Sequence, residues 1–387
     1  MHDVTGRIWD AIVIGTGIGG GTVGRRLAER GLSVLFVEKG PDLGDARISS
    51  TEIEGQSRAE RLARGAWPSM ISAELDGSWC DIDGMIGAGI GGTSAKYAAT
   101  LERPERHDMD HSAARPHPTG GWPVDYAAMR PWFELAERYY EISGESDPLD
   151  PVPANLPMPP RMLPRSDAAL MEDLRRAGMH PYQTHMAVRF VPECENCFGV
   201  RCPRRCKMDG RTAGVLPAQA TGRAEVLTDC SVTRIESDAN GVTGLTCRRG
   251  DETITLRARR YVLAGGGLGS PTLMLQSTSE HWPDGLGNRH DLVGRNLMFH
   301  LSEIIAIWAG GGKGETGASR SISMRDLYYM GGERFGTVQS MGLVAGYGEI
   351  LYAMNRRFAS SPLRRLKPLR HGLRIPAKIA AQFLGQA

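Results

Sequence analysis

The first forty residues alternate between short apolar runs and glycine-rich or polar stretches. The apolar run Ala11–Ile14 favours a strand buried in a parallel sheet, and Leu32–Val37 favours a second one. Between them, Thr22–Glu29 favours a helix, and Gly31 suits the position just after its end. This order predicts a strand–turn–helix–strand unit, and therefore an α/β fold with parallel strands.

The same patterning predicts further elements along the chain. Helices are expected over 51–64, in the run after Thr93, over 126–142 with Asp125 as N-cap, over 167–177, and from about Pro271 onwards. Alternating positions from Ala224 to Ala264 predict strands, with a hairpin turn at Asn240-Gly241 and a last strand at Tyr261–Ala264. The seven prolines within 148–164 predict an extended segment that crosses the surface.

Three glycines follow the first predicted strand with the spacing G-x-G-x-x-G: Gly15, Gly17 and Gly20. The first allows a tight turn, the second lets the backbone approach a pyrophosphate, and the third lets the helix pack on the strand. Glu38 ends the second strand, where a carboxylate can accept hydrogen bonds from an adenosine ribose. The ordered set predicts a dinucleotide site, because a βαβ unit without a ligand leaves these residues unexplained.

Composition narrows the possibilities without changing the fold class. The 387 residues are 41% hydrophobic with a net charge of +2, which gives no reason to expect nucleic-acid binding. No apolar run approaches the length of a membrane span, and the chain enters its first strand too early for a signal peptide. We therefore expect a cytoplasmic protein, unless a partner subunit carries it elsewhere.

Five separated motifs resemble those of the glucose-methanol-choline (GMC) family of FAD-dependent oxidoreductases, in family order between residues 10 and 300. They are Gly15-Thr16-Gly17-Ile18-Gly19-Gly20 with Glu38, the "GGTS" of Gly91, Gly92, Thr93 and Ser94, "GWP" at 121–123, "VLAGGGLGSPTLML" at 262–275, and "VGRNLMFH" at 293–300. The resemblance implies that the first motif and Glu38 bind the FAD adenosine and that Gly91–Ser94 lies along the pyrophosphate and flavin. It also implies that Val232 contacts adenine through its backbone and that Gly266 belongs to a third FAD motif. Lys96-Tyr97 departs from the family pattern of an aliphatic residue followed by Asn or His.

The resemblance implies a Rossmann-like FAD-binding domain, similar to that of glutathione reductase, formed by 1–145 and 205–300. The Pro-rich segment and a cysteine cluster would occupy 146–204, and 301–387 would form an incomplete substrate domain. Family chemistry is the oxidation of a CH–OH group in an alcohol, sugar or sterol-like donor, with hydride transfer to flavin N5. The family's active-site histidine has no counterpart here, so we name no catalytic base. His300 is interpreted as structural, and His107 and His111 as surface residues.

Four cysteines crowd into thirteen residues: Cys194, Cys197, Cys202 and Cys206. Their spacing resembles that of ferredoxin-type ligands, and some GMC dehydrogenases carry an iron–sulfur cluster near this point. A zinc site and purely structural thiols remain open alternatives. The scattered Cys80, Cys230 and Cys247 are interpreted as small buried apolar residues.

Two classes of function follow from these observations. The first is a GMC-type alcohol or sugar dehydrogenase or oxidase that lacks the family's C-terminal catalytic part. The second is a non-catalytic FAD-binding or electron-transfer subunit that needs another chain for turnover; a generic NAD(P)-binding protein fits the later motifs less well. From Asn355 onwards the chain has eight Lys or Arg residues and no acid, which indicates a solvated surface more than a docking site for a partner or an anionic membrane. Substrate, electron acceptor and oligomeric state stay open.

Overall fold

The computed structural model describes residues 4–49, 57–82, 86–192, 194, 199–300, 302–303, 320–341, 350–351, 354–355, 357–358, 361–362 and 372–384. Its helices are α1 (Ile18–Glu29), α2 (Arg58–Ala63), α3 (Tyr126–Tyr139), α4 (Arg165–Arg176), α5 (Leu216–Ala220), α6 (Gly266–Gln276) and α7 (Arg374–Leu384). Its first strands are β1 (Ile8–Trp9), β2 (Ala11–Ile14), β3 (Val34–Val37), β4 (Ile48–Ser49), β5 (Ile71–Leu75), β6 (Ser78–Ile82), β7 (Tyr182–Gln183) and β8 (Val200–Arg201). The others are β9 (Ala224–Leu227), β10 (Ser231–Asp238), β11 (Gly241–Arg249), β12 (Glu252–Ala258), β13 (Tyr261–Leu263), β14 (Ile322–Met324), β15 (Tyr329–Met330), β16 (Glu333–Arg334) and β17 (Val338–Gln339).

A four-stranded parallel sheet with the order β13-β2-β3-β9 forms the centre of the N-terminal region. Its two central strands, β2 and β3, are buried on both faces. Ile12 and Leu35 belong to one apolar cluster, and Val13 and Phe36 belong to another. Double-sided burial explains why these strands are continuous apolar runs, as predicted for a parallel sheet. Helix α1 lies close to the sheet, because an added Cβ at Gly24 would be 2.2 Å from the Phe36 ring.

A second four-stranded sheet, β1-β12-β11-β10, contains the predicted hairpin. Strands β10 and β11 pair in antiparallel register with Asp238 opposite Gly241, which confirms the hairpin but places its turn at Ala239-Asn240, one residue before the predicted Asn240-Gly241. Asp125 caps α3 as predicted, accepting a hydrogen bond from the Ala128 amide at 2.8 Å. The exposed hairpin β5–β6 was not predicted, although Ile71–Leu75 alternates between apolar and polar residues and Asp76-Gly77 suits its turn.

Two predicted helical regions take a different form. The segment after Thr93 is a short 3₁₀ turn at Gly92–Lys96, and α6 begins at Gly266, five residues before Pro271. Residues 51–56 of the first predicted helix lie outside the described residues, and α2 covers only its second half.

The chain divides into two compact units. The first comprises residues 1–105, 122–142 and 186–300, and the second comprises 106–121, 143–185 and 301–387. The second contains the small antiparallel sheet β17-β14-β7. The functional division into an FAD-binding domain, a crossing segment and a partial substrate domain stays a prediction.

Candidate cofactor site

The first glycine turn (Gly15–Gly20) joins β2 to α1, and two of its glycines are required by close backbone contacts. Gly15 has φ +101°, and a Cβ added there would be 2.5 Å from the Ala264 carbonyl oxygen. A Cβ on Gly20 would be 2.1 Å from the carbonyl oxygen of Gly15. Gly17 differs, since a Cβ on it would meet nothing within 4 Å. Gly15 and Gly20 therefore serve the fold, whereas the space beside Gly17 is open for a ligand.

Helix α1 begins at Ile18 without a side-chain cap and without an acidic residue in its first turn. The first amides of a helix have no partner within the helix and carry the positive end of its dipole. In a twelve-residue helix that follows a glycine turn, this arrangement suits a phosphate group.

Glu38 is 4% exposed, and its carboxylate joins several segments of the chain. Oε2 accepts hydrogen bonds from the Thr16 amide at 3.1 Å and from the Thr16 hydroxyl at 2.6 Å. Oε1 accepts from the amides of Gly40 and Gly89, both at 3.1 Å. Four donors match the four lone-pair positions of a carboxylate. A buried charge at this place is therefore fully hydrogen-bonded within the protein.

We call Gly87–Tyr97 the second glycine segment; it contains the predicted Gly91–Ser94 motif. A Cβ added to Gly92 would be 3.1 Å from Gly17 Cα, so the two glycine motifs pack backbone against backbone. The Gly91 amide donates to Thr16 Oγ1 at 3.2 Å. Thr93 Oγ1 accepts from the Gly87 amide, and Ser94 Oγ donates to the Gly91 carbonyl at 2.6 Å. The hydroxyl groups of the predicted motif thus hold the segment in shape.

Val232 and Gly266 lie on elements that reach the first glycine turn from two directions. The Cys230 amide donates to the Glu38 carbonyl oxygen at 3.0 Å, two residues before the partly buried Val232 of β10. Gly266 opens α6 with φ +79°, two residues after Ala264, whose backbone borders Gly15. The structure brings the predicted residues into one neighbourhood, and their contacts with a cofactor stay a prediction.

Sequence reasoning missed Lys207, which is 3% exposed. Its ammonium donates to the carbonyl oxygens of Val200 at 2.6 Å, Tyr97 at 3.1 Å and Ala95 at 3.2 Å. Lys207 therefore ties the end of the second glycine segment to strand β8.

Tyr97, at the position that departs from the family pattern, donates its hydroxyl to the Met208 carbonyl at 2.6 Å. Burial raises the pKa of this hydroxyl well above its ordinary value.

Arg201 and Arg211 are also buried beside the second glycine segment. Arg201 donates to the Ile90 carbonyl at 3.0 Å, and Arg211 pairs with Asp45 at 2.9 Å. Asp209 precedes a π-helical turn, Gly210–Val215, whose Arg211 and Thr212 amides donate to its carboxylate. Arg201 lies within the cysteine cluster and opens the basic "RCPRRCK" run, whereas Asp209 and Arg211 follow that run and no local pattern marked them.

Cys202 and Cys206 are buried neighbours, with the Cys206 amide 3.4 Å from Cys202 Sγ. Burial and the adjacent Cys202 raise the pKa of the Cys206 thiol to about 11. Within the described part of the chain, no three His, Cys, Asp or Glu side chains form a group that could hold a metal ion. Cys197 lies outside the described residues.

Two predictions about single residues are wrong. His107 is 5% exposed instead of lying on the surface, because Tyr328 and Tyr329 pack against its ring. Cys80 is exposed on β6, whereas Cys230 and Cys247 are buried as predicted. His111 and His300 are exposed. None of the helices in the described residues has the length and apolar character needed to cross a membrane.

Comparison with known proteins finds oxidoreductases. The chain is 30% identical over 323 residues to 6'''-hydroxyparomomycin C oxidase of Streptomyces lividus, covering 78% of this chain and 56% of that protein. It is 27% identical over 344 residues to the fructose dehydrogenase large subunit of Gluconobacter japonicus, covering 78% of this chain and 61% of that protein. The chain therefore spans little more than half the length of these curated relatives.

Among solved structures, pyridoxine 4-oxidase from Mesorbium loti matches with 19% identity and a TM-score of 0.47, covering 70% of this chain and 52% of that one. A profile for an NAD(P)-binding Rossmann-like domain matches residues 13–75, which contain β2, α1, β3 and Glu38. The profile described as GMC oxidoreductase matches residues 76–302, more than half of the chain. These matches confirm the predicted Rossmann-like fold and the predicted family. The chain belongs to the GMC oxidoreductase family.

Proposed function

We propose that this chain carries the FAD-binding part of an oxidoreductase that acts on a CH–OH group. Its relatives support the reaction class, since they include proteins named 6'''-hydroxyparomomycin C oxidase and fructose dehydrogenase large subunit. A protein named 2-methyl-1,2-propanediol dehydrogenase adds a simple alcohol to this range. An alcohol or sugar substrate is therefore the class that we propose.

The observation that carries the proposal is the open space beside Gly17. Gly15 and Gly20 are explained by contacts within the protein, but Gly17 lies at the start of α1 with no atom where its Cβ would be. A glycine without a packing role suits a position where the protein backbone closely approaches a pyrophosphate. The buried Glu38 and the second glycine segment border the same turn.

FAD, when bound, supplies the hydride acceptor for oxidation of the substrate carbon. In this proposal, the uncapped amides of α1 hold the pyrophosphate, and Glu38 accepts hydrogen bonds from the adenosine ribose. We assign no proton transfer to a residue of this chain.

A pair of glycine substitutions tests the site. Gly17→Ala adds a methyl group that meets no protein atom, so the stability of the FAD-free chain should not fall. FAD affinity should fall at least about tenfold, because the methyl group occupies the space left for the pyrophosphate. Gly19→Ala is the matched control, since Gly19 lies in the first turn of α1, which follows the N-cap Gly17, and its Cβ also meets nothing within 4 Å.

FAD titrations followed by flavin absorbance and fluorescence measure both variants against the unchanged chain. Gly19→Ala should bind FAD as the unchanged chain does. Equal affinity of Gly17→Ala and Gly19→Ala would place the ligand elsewhere and contradict the proposal.

A second candidate function is that of an FAD-binding or electron-transfer subunit that depends on another polypeptide for turnover. One relative is itself named as a large subunit, and the chain spans little more than half the length of the relatives described above. In this case the 387-residue chain should bind FAD yet oxidise alcohols or sugars only at background rates with an artificial acceptor. Saturable turnover by the purified chain alone would reject the second candidate.

An iron–sulfur cluster at the cysteine cluster is a separate proposal. Iron and zinc analysis of protein purified without oxygen distinguishes the alternatives. A stoichiometric iron content that Cys202→Ser abolishes would support a cluster, whereas metal-free protein would leave the structural interpretation.

A further inference from the structure

Thr16 connects Glu38 to the second glycine segment. Its side chain is fully buried. Its hydroxyl oxygen accepts a hydrogen bond from the Gly91 amide at 3.2 Å, so the proton of the hydroxyl must be donated elsewhere. Two acceptors are within reach: Glu38 Oε2 at 2.6 Å and the Gly89 carbonyl oxygen at 3.4 Å. The shorter contact to a charged acceptor is the stronger one.

Glu38 has no free lone pair in this arrangement. The amides of Thr16, Gly40 and Gly89 and the Thr16 hydroxyl take all four positions on the carboxylate. The three amides are fixed by the backbone, but a hydroxyl can rotate its proton to another acceptor. The Thr16 hydroxyl is therefore the donor that leaves Glu38 at the lowest cost.

We propose that Thr16 is a positioning residue that couples the adenosine end of the site to the second glycine segment. When Glu38 accepts a ribose hydroxyl in place of Thr16 Oγ1, the Thr16 proton turns to the Gly89 carbonyl. The hydroxyl still accepts from the Gly91 amide, so Thr16 then holds Gly89 and Gly91 together. Occupation of the adenosine end thus tightens the segment that the family resemblance assigns to the pyrophosphate and flavin. This inference rests on the proposed FAD site.

Hydrogen exchange of the FAD-free full chain, measured by mass spectrometry, tests the coupling. The probes are ADP and 2′,3′-dideoxy-ADP, which carry the same diphosphate but differ in the ribose hydroxyls. ADP should slow exchange in a peptide covering 87–94 about fivefold more than the dideoxy analogue, the factor that one net hydrogen bond carries. Equal protection by the two probes in the unchanged chain would overturn the coupling.

Two variants identify Thr16 as the connection. Thr16→Val keeps the shape of the side chain and removes the hydroxyl, whereas Thr16→Ser keeps the hydroxyl and serves as the matched control. Thr16→Ser should retain the difference between the two probes. Thr16→Val should bind ADP at least as tightly as the unchanged chain, because no donor has to leave Glu38, and should lose the difference in exchange.

The outcomes separate this inference from the proposed function. Failure of ADP to bind the unchanged chain, measured by calorimetry, overturns the adenosine site and the coupling together. Binding of ADP with the same protection in Thr16→Val and Thr16→Ser overturns the coupling alone. The comparison of the two probes in the unchanged chain stays decisive even when Thr16→Val does not fold.

Discussion

The second glycine segment is held at its two ends by buried groups of opposite charge. Glu38 collects hydrogen-bond donors near Gly89 and Gly91, and Lys207 donates to the carbonyl oxygens of Ala95 and Tyr97. Both side chains are at most 4% exposed. A buried charge is tolerated when hydrogen bonds replace its water, and here the backbone supplies most of those bonds at both ends.

The two ends differ in how readily their partners can change. All three contacts of Lys207 described above are to backbone carbonyl oxygens, which cannot rotate away from the ammonium. One contact of Glu38 is a hydroxyl with a second acceptor within reach. We infer that the Lys207 end is a fixed structural anchor, and that the Glu38 end is the one where a ligand can exchange partners.

The largest expected effect comes from removing the anchor. Lys207→Met removes the buried ammonium that three carbonyl oxygens share, one in a buried contact and two in part-buried contacts, so we expect a loss of about 3–5 kcal/mol in the free energy of unfolding. Urea unfolding followed by circular dichroism measures the change. Lys378→Met replaces an exposed lysine and should cost less than about 0.5 kcal/mol. A Lys207→Met variant as stable as this control would show that the ammonium is not an anchor.

A smaller loss is expected at the opposite end. Glu38→Gln keeps the size of the side chain but turns one acceptor into a donor that faces two buried donors. We expect a loss of about 2–4 kcal/mol in stability. FAD affinity should fall by about 1.5–3 kcal/mol, which a flavin titration measures.

The exposed Glu225 provides the control for this end, because its carboxylate contacts Arg7 on the surface. Glu225→Gln should change stability by less than about 0.5 kcal/mol and leave FAD affinity unchanged. If Glu38→Gln binds FAD as tightly as the unchanged chain, Glu38 does not bind the ribose. Its structural role would not be affected by that result.

The two ends also differ in how far the sequence predicts them. Glu38 follows from a local pattern, because the strand, the turn, the helix and the acid lie within thirty residues and their geometry is set by the chain itself. Lys207 is more than a hundred residues away from Ala95, and a lysine next to a cysteine cluster carries no signal of burial. The same limit applies to Thr16, whose motif position is predictable but whose hydroxyl contacts depend on Gly91 in a distant segment.

Single-residue burial was the weakest part of the sequence interpretation, for a physical reason. His107 lies in a polar stretch, and its burial depends on aromatic residues that are more than two hundred positions away. Cys80 is exposed because it lies on the β5–β6 hairpin. Within the described residues, these two strands pair only with each other. Local sequence patterns cannot report either environment.

The smallest expected effect concerns Lys39, which follows Glu38 and extends the comparison to a lysine that packs on an aromatic ring. Its ammonium lies 3.3 Å from the centre of the Trp67 ring, and burial lowers its pKa to about 8 although the charge of Glu38 opposes this shift. Between pH 8 and about 10.4 the unfolded chain holds a proton on Lys39 that the folded chain has lost. Stability therefore rises with pH across this window, by up to about 2–3 kcal/mol.

Urea unfolding from pH 7 to 10.5 should show the rise for the unchanged chain relative to Lys39→Met, which has no proton to lose. Lys39→Arg keeps its charge throughout and should show no rise relative to Lys39→Met. Parallel stability curves for the unchanged chain and Lys39→Arg would mean that Lys39 stays charged beside Glu38, and that the acidic end of the segment holds its cation as firmly as the carbonyl oxygens hold Lys207.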